Sequence, residues 1–132
     1  MTARFVHPPT LDDLAEIAEA ALAEIPAALK RHVQGVALRI DDFPDDETLD
    51  ELGLESPFDL LGLYRGVHLG HKTTGMVAGD VDMIFLYRRP ILDERCATGE
   101  PLRALIRHVL IHEIGHHFGL SDADMERIEA ED

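Results

Sequence analysis

Two histidines four residues apart, with a glutamate directly after the first, are the residues of this chain best suited to catalytic chemistry. They are His112, Glu113 and His116, within the stretch HEIGHHFGLSD. Positions four apart on a helix lie on one face, about 6 Å apart along the axis, so the two imidazoles can bind one metal ion. Zinc binds imidazole nitrogen, and its catalytic sites keep one position open for water. Glu113 would lie beside that water as a general base.

A third ligand is expected after the helix that carries this pair. Gly119 can adopt the left-handed conformation that ends a helix and reverses the chain. Asp122 then follows three residues later, which completes the pattern HExxHxxGxxD. We therefore expect zinc to be bound by His112, His116 and Asp122. Four nearby residues are the alternatives for the third position: His117, Asp124, Glu126 and Glu129.

The helix that must position these residues is predicted to begin near Pro101 and to run to about Phe118. Its apolar residues fall on one broad arc of a helical wheel; they are Leu102, Leu105, Ile106, Val109 and Leu110. The three polar residues of the motif fall on the same arc, so they are expected to point inward. Ionisable groups facing a core are costly unless something satisfies them, and a metal ion does so. The alternative is a histidine-rich amphipathic helix whose polar residues find hydrogen-bond partners or face a groove filled with water.

Three stretches together resemble a known family. LGLYR at Leu61–Arg65, IFLYRRP at Ile84–Pro90 and the HEIGHHFGLSD motif are similar to those of the small bacterial zincin-like metallopeptidases. The resemblance runs from about Phe58 to Asp124. It implies a minimal zincin-like α+β domain, with a small mixed sheet packed on helices that include an active-site helix. It also implies zinc at His112, His116 and Asp122 with Glu113 as base, whereas Ser121 stands where an acidic residue would be expected.

The remaining elements fit one domain that spans residues 1–132. Periodicity and turn residues predict a first helix from Leu11 capped by Thr10, strands at Val36–Ile40, Leu60–Tyr64 and Asp82–Tyr87, short helices at Thr48–Leu54 and Ile91–Cys96, and a last helix from Ser121 to Ile128. By resemblance and by position, Asp82–Tyr87 is the expected sheet edge for an extended peptide. Tyr64, Tyr87 and His117 are candidates to stabilise the oxyanion.

Two other groups of polar residues are interpreted without a metal. The acidic run at residues 41–47 lacks the spacing of a calcium loop and is expected to be a solvated surface loop. His68 and His71 lie in a glycine-rich connection predicted over residues 65–79. No carboxylate accompanies them as Glu113 accompanies its pair, so they are not expected to bind zinc.

The charge balance argues against nucleic acid and anionic membranes as partners. The chain has 12 basic and 26 acidic residues, a formal net charge of −14, so its field repels polyanions. A metal-dependent ribonuclease, one alternative function, would need a basic groove for phosphates. A peptide or an unfolded protein segment is therefore the expected substrate.

The single cysteine and the N-terminal sequence suggest a compartment. Cys96 has no partner for an internal disulfide, as is usual in a reducing cytosol, and is expected to be a small core residue. The first nine residues have no apolar signal region, and no stretch has the length of a membrane span. The sequence thus predicts a soluble cytoplasmic protein.

The leading function is that of a zinc metallopeptidase, with one alternative of a different class. Few residues follow Asp122, so the lower half of a zincin is expected to be nearly absent, and selectivity to be weak. That shortage favours a zinc-stabilised module that binds peptides with little or no turnover. Retention of Glu113, which is not itself a ligand, favours the enzyme, because a structural zinc site more often closes its fourth position with cysteine or histidine.

Overall fold

The computed structural model describes residues 7–68 and 80–130, and within them helices pack around a small mixed sheet. The helices are α1 Leu11–Glu24, α2 Ala27–Lys30, α3 Asp46–Leu52, α4 Arg88–Thr98, α5 Leu102–His117 and α6 Asp122–Ala130, and the strands are β1 Ala37–Asp41, β2 Gly62–His68 and β3 Asp80–Tyr87. A short 3-10 turn, Pro57–Asp59, precedes β2. The predicted α+β fold class is confirmed.

The sheet has the order β1-β3-β2, with β3 in the centre. β3 pairs in parallel with β1, where Leu38 lies opposite Ile84, and antiparallel with β2, where Tyr64 lies opposite the same residue. The prediction that Asp82–Tyr87 is a free edge is therefore wrong, because main-chain hydrogen bonds occupy both sides of this strand. Ile84 and Leu86 are fully buried, as suits a central strand. Among the described strands, β1 and β2 form the edges of the sheet.

The first helix begins and ends where its local chemistry dictates. The hydroxyl of Thr10 accepts a hydrogen bond from the Asp13 N–H at 3.1 Å, and the Asp13 carboxylate accepts one from the Thr10 N–H at 2.8 Å. This reciprocal cap satisfies two of the donors that a helix start leaves unpaired. Pro26 forces Ile25 into an extended conformation, which ends the helix. The buried face of α1 consists of Leu14, Ala18 and Ala21.

Two short helices begin earlier than predicted. α3 starts at Asp46, because the Asp45 side chain accepts a hydrogen bond from the Thr48 N–H at 2.8 Å. α4 follows β3 directly at Arg88, since Pro90 lies in its first turn, where a missing N–H costs no hydrogen bond. Cys96 is exposed on α4, so its prediction as a core residue is wrong. Only the first turn of this helix, at Pro90 and Ile91, is buried.

α5 is the central helix of the domain and packs against α1, β2 and α6. Its buried residues are Leu102, Leu105, Ile106, Val109, Leu110, Ile111, Ile114 and Gly115, which confirms the predicted apolar arc. The polar residues of the motif are less uniformly placed than predicted: His112 and Glu113 are half-buried, whereas His116 is exposed. His116 faces solvent because Ile111 and Ile114 occupy the side of the helix that faces the core.

The connection predicted after Tyr64 begins as strand, since β2 continues to His68. His71 and the side chain of His68 lie outside the described residues. Within the described ranges, no helix combines the length and the apolar character that crossing a bilayer requires.

Candidate functional site

Three histidines line one side of α5 at intervals of four residues. The ring centroids of His108 and His112 are 4.1 Å apart, and those of His112 and His116 are 5.9 Å apart. This spacing follows from the helical repeat, which stacks every fourth side chain on the same face. The sequence prediction included the second pair and missed His108, although the same interval of four would have found it.

A tight turn after α5 brings the chain back along that face. Gly119 has a φ of +78°, and the N–H of Leu120 donates to the Gly115 carbonyl at 2.8 Å. A left-handed glycine with this bond is a common way to end a helix and to satisfy its last carbonyls. The predicted role of Gly119 is confirmed. α6 then runs back beside α5, with Met125 and Ile128 buried between them and the core.

Asp122, the predicted third ligand, is the first residue of α6. Its carboxylate Oδ1 lies 3.9 Å from Nε2 of His116, and its side chain is 88% exposed. The rival Asp124 is already engaged, because it caps α6 with Ser121 and pairs with Arg127 at 2.5 Å. These hydrogen bonds hold the pKa of Asp124 below its ordinary value. Asp122 is therefore the freer carboxylate near His116.

Glu129, another rival for the third position, contacts two histidines at once. Its Oε1 lies 2.8 Å from His112 Nε2, and its Oε2 lies 3.0 Å from His108 Nδ1. Partial burial raises the pKa of Glu129, but the hydrogen bonds and charges of the two histidines together bring it below its ordinary value. Across residues 7–68 and 80–130, the group of potential metal ligands whose atoms all lie within 4.8 Å of one another is His108, His112 and Glu129.

The proposed base Glu113 lies on the side of α5 that faces the sheet. It is half-buried, and the backbone N–H of Tyr64 on β2 donates a hydrogen bond to its carboxylate. Burial raises the pKa of Glu113, while the charge of His116 and the Tyr64 hydrogen bond oppose that rise without cancelling it. A carboxylate with a raised pKa is a stronger proton acceptor near neutral pH than an exposed one.

The three oxyanion candidates occupy different environments. The Tyr64 hydroxyl donates to Asp82 Oδ2 at 2.9 Å, and its ring stacks on His117 with centroids 3.9 Å apart. Burial and this bond raise the pKa of Tyr64. Burial, with a smaller contribution from Asp41, raises the pKa of Tyr87 to about 12. Both hydroxyls thus remain protonated at neutral pH, and that of Tyr64 already has an acceptor.

A groove between α5 and α6 contains four of these groups, and neither Glu113 nor His116 is among its lining residues. It is lined by His108, His112, Asp122, Glu126, Glu129 and Ala130. A separate groove bounded by α1, α2 and β1 has no histidine in its lining, so it offers no imidazole ligand for a metal ion. Among the described residues, the histidine and carboxylate side chains that could bind a metal ion together lie in the groove between α5 and α6.

Comparison with known proteins identifies the family. A family model described as zincin-like metallopeptidase matches residues 33–131. No curated protein gives a significant match to the chain. The match covers both edge strands, the histidine-bearing helix α5 and the helix α6 that returns beside it. The chain belongs to the zincin-like metallopeptidase family.

Proposed function

We propose that this protein is a zinc-dependent metallopeptidase that hydrolyses peptide bonds with Glu113 as general base. The observation that carries the proposal is the placement of Glu113 beside His112 and His116 on α5, with its carboxylate held by the Tyr64 N–H of β2. A backbone donor fixes the carboxylate without neutralising it. The family match supports a metallopeptidase type of function.

The ligands proposed for zinc are His112, His116 and Asp122. The donor chemistry fits, because imidazole nitrogens and a carboxylate oxygen are the usual ligands of catalytic zinc. Donors about 2.0 to 2.1 Å from a tetrahedral ion lie about 3.3 Å apart, so His116 Nε2 and Asp122 Oδ1, now 3.9 Å apart, must move together by roughly half an ångström. His112 must release Glu129 to join them, since its Nε2 contacts that carboxylate.

Zinc and Glu113 have different roles in the proposed hydrolysis. Zinc held by these residues would supply Lewis acidity and would lower the pKa of the attacking water to about 7. Glu113 takes the proton of that water and later passes it to the leaving amine. Its raised pKa suits both steps, because the group must accept a proton and then give it up near neutral pH.

The substrate proposed is a peptide or an unfolded protein segment, bound along the free edge of β2. This edge lies on the α5 side, since the Tyr64 N–H points away from β3 toward Glu113. α5 packs on the face of β2 at Gly62, where an added Cβ would lie 2.8 Å from Val109 Cγ1. Gly66 is exposed and further along the strand, so an extended chain has backbone groups to pair with from there. The charge of −14 disfavours nucleic acid, and a cytoplasmic location is part of the proposal.

One observation favours the alternative, a zinc-stabilised module that binds peptides without turnover. His112 is paired with Glu129 across the α5–α6 junction, and an ion held there by protein groups would stabilise that junction. Such a site would contribute folding energy rather than catalysis.

The two functions are separated by replacing the base. We expect Glu113→Gln to keep its fold and its zinc but to lose hydrolysis by a factor on the order of 100 or more, because the amide preserves shape while it cannot accept the proton. Glu94→Gln, an exposed glutamate on α4, is the matched control and should cleave at the parental rate.

The measurement is cleavage of a library of unstructured peptides read by mass spectrometry, with zinc content determined on the same samples. Equal cleavage by the parent and by Glu113→Gln would contradict the proposed mechanism. Zinc binding by the parent without cleavage of any library peptide would support the binding module.

A further inference from the structure

We propose a second position for a divalent metal ion, held by His108, His112 and Glu129 where α6 crosses α5. It shares His112 with the ligand set above and otherwise stands independently of the peptidase function. The two imidazole nitrogens lie 3.0 and 2.8 Å from the two oxygens of one carboxylate. Their ligand atoms all fall within 4.8 Å, so a single ion can reach three donors with little movement of the backbone.

The donor set has the composition of a zinc site. Two imidazoles and one carboxylate supply three protein ligands, and a fourth tetrahedral position remains for water. Donors at about 2.0 to 2.1 Å from a tetrahedral ion lie about 3.3 Å apart. The two observed nitrogen to oxygen distances, each to a different oxygen of Glu129, are a few tenths of an ångström shorter than this, and the ligand atoms of the three residues lie within 4.8 Å of one another. An ion would replace the hydrogen-bonding protons that the histidines now share with Glu129.

This position is closer to assembled than the one built on His116. The rings of His108 and His112 have centroids 4.1 Å apart, against 5.9 Å for His112 and His116. Glu129 touches both of its histidines, whereas Asp122 lies 3.9 Å from His116. Because the Nε2 of His112 can bind only one ion, the two positions are alternatives. The chain should bind one zinc in either arrangement, not two.

The second position lacks a base of its own. Glu113 does not line the groove that contains His108, His112 and Glu129, because it lies on the side of α5 that faces the sheet. An ion held by these three residues would therefore join α5 to α6 away from the proposed base. An ion in this position would have a structural role, whereas His116 and Asp122 would hold it on the side of the base.

The test uses the exposed His116 to separate the two positions. His116→Ala removes the first arrangement and leaves the second complete, so this variant should still bind one zinc ion. Adding His108→Ala or Glu129→Gln should then lower the zinc affinity by on the order of 100-fold. Affinity is measured by competition with a chromophoric chelator on the full chain, and ¹⁵N spectra of the imidazoles show which rings respond to zinc. Far-ultraviolet circular dichroism confirms that each variant is folded.

Every outcome bears on the proposal. Loss of all zinc binding in folded His116→Ala would overturn it. So would residual binding that survives both additions, or a loss on adding Glu126→Gln as large as that on adding Glu129→Gln. If His116→Ala binds zinc with the parental affinity and only His108 and Glu129 matter, the second position stands. The ligand set of the proposed function then fails.

Discussion

His112 has one ring nitrogen directed at α6, and that nitrogen lies 2.8 Å from Glu129 Oε1. The geometry makes Glu129 a competitor for the residue on which zinc binding depends. His116 is less constrained, since its side chain is 58% exposed and its near neighbour across the turn is Asp122. Zinc in the catalytic arrangement would gain the exposed ligands His116 and Asp122, but the hydrogen bond between His112 and Glu129 must break first. The zinc affinity of that arrangement is therefore reduced by the free energy of this hydrogen bond.

The ligand set can be tested by single replacements. We expect His116→Ala and Asp122→Ala each to lower the zinc affinity of the chain by on the order of 10-fold or more, down to the affinity of the position at His108, His112 and Glu129, because each removes a direct donor from the catalytic arrangement. Chelator competition and elemental analysis of the reloaded protein measure this. Glu126→Ala is the control, since Glu126 is one turn further along α6, lines the same groove and is not a proposed ligand. Parental affinity in Asp122→Ala would remove only the third ligand from the set.

α5 and α6 meet at a residue inside the motif that has no side chain. Gly115 is buried, and a Cβ built on it would lie 2.7 Å from Met125 Cγ and would also clash with the sulfur of that residue. Met125 is fully buried, so it has little space into which to move. Glycine at this position lets α6 lie close enough for Asp122 and Glu129 to reach the histidines.

We expect Gly115→Ala to destabilise the protein and to weaken zinc binding together. In a helix interior, alanine gains about 1 kcal/mol over glycine. Overpacking of a filled core costs about 1–3 kcal/mol, and the 2.7 Å approach to Met125 Cγ favours a cost above the lower end of that range. A net loss of about 1 kcal/mol in the free energy of unfolding should be measurable by urea titration.

A second substitution shows whether the clash is the cause. Met125→Ala in the Gly115→Ala background provides the missing space, so the two changes should cost less together than the sum of their separate costs. Simple additivity would mean that Gly115 acts through something other than its contact with Met125.

The sequence predicts those features of the helices and turns that depend on residues close together along the chain. The Thr10 cap, the apolar arc of α5 and the turn at Gly119 are each set by residues within a few positions of one another, and each is confirmed. The partners of Glu129 lie 21 and 17 residues away on another helix. No local pattern encodes that pairing, and it depends on how closely two helices approach.

The position of β3 in the sheet also depends on contacts between distant parts of the chain, which local sequence patterns do not encode. Its alternating apolar residues fit either a central or an edge strand, and the resemblance suggested an edge. The outcome was decided by β1, whose residues Leu38 and Ile40 pack on the same core from a distant part of the chain. The proposed ligands and the base on α5 did not depend on this strand order, because the motif is contained in one helix and the turn after it.

The pairing of β3 also sets an order in which the chain can fold. β2 is separated from β3 by residues 69–79 in sequence, whereas β1 is separated from β3 by residues 42–79, which include α3 and β2. Each doubling of a closed loop costs about 0.6 kcal/mol of chain entropy. We therefore expect β2 and β3 to associate before β1 docks in parallel.

The order can be tested by comparing folding rates. Leu38→Ala on β1 should mainly accelerate unfolding, while Leu63→Ala on β2 should mainly slow refolding, as measured by stopped-flow mixing. The reverse assignment of the two rates would mean that the long-range parallel pair forms first. If the expected order holds, a nascent chain presents the β3 side that β1 later covers as a temporary edge, exposed to other strands until that last pairing is made.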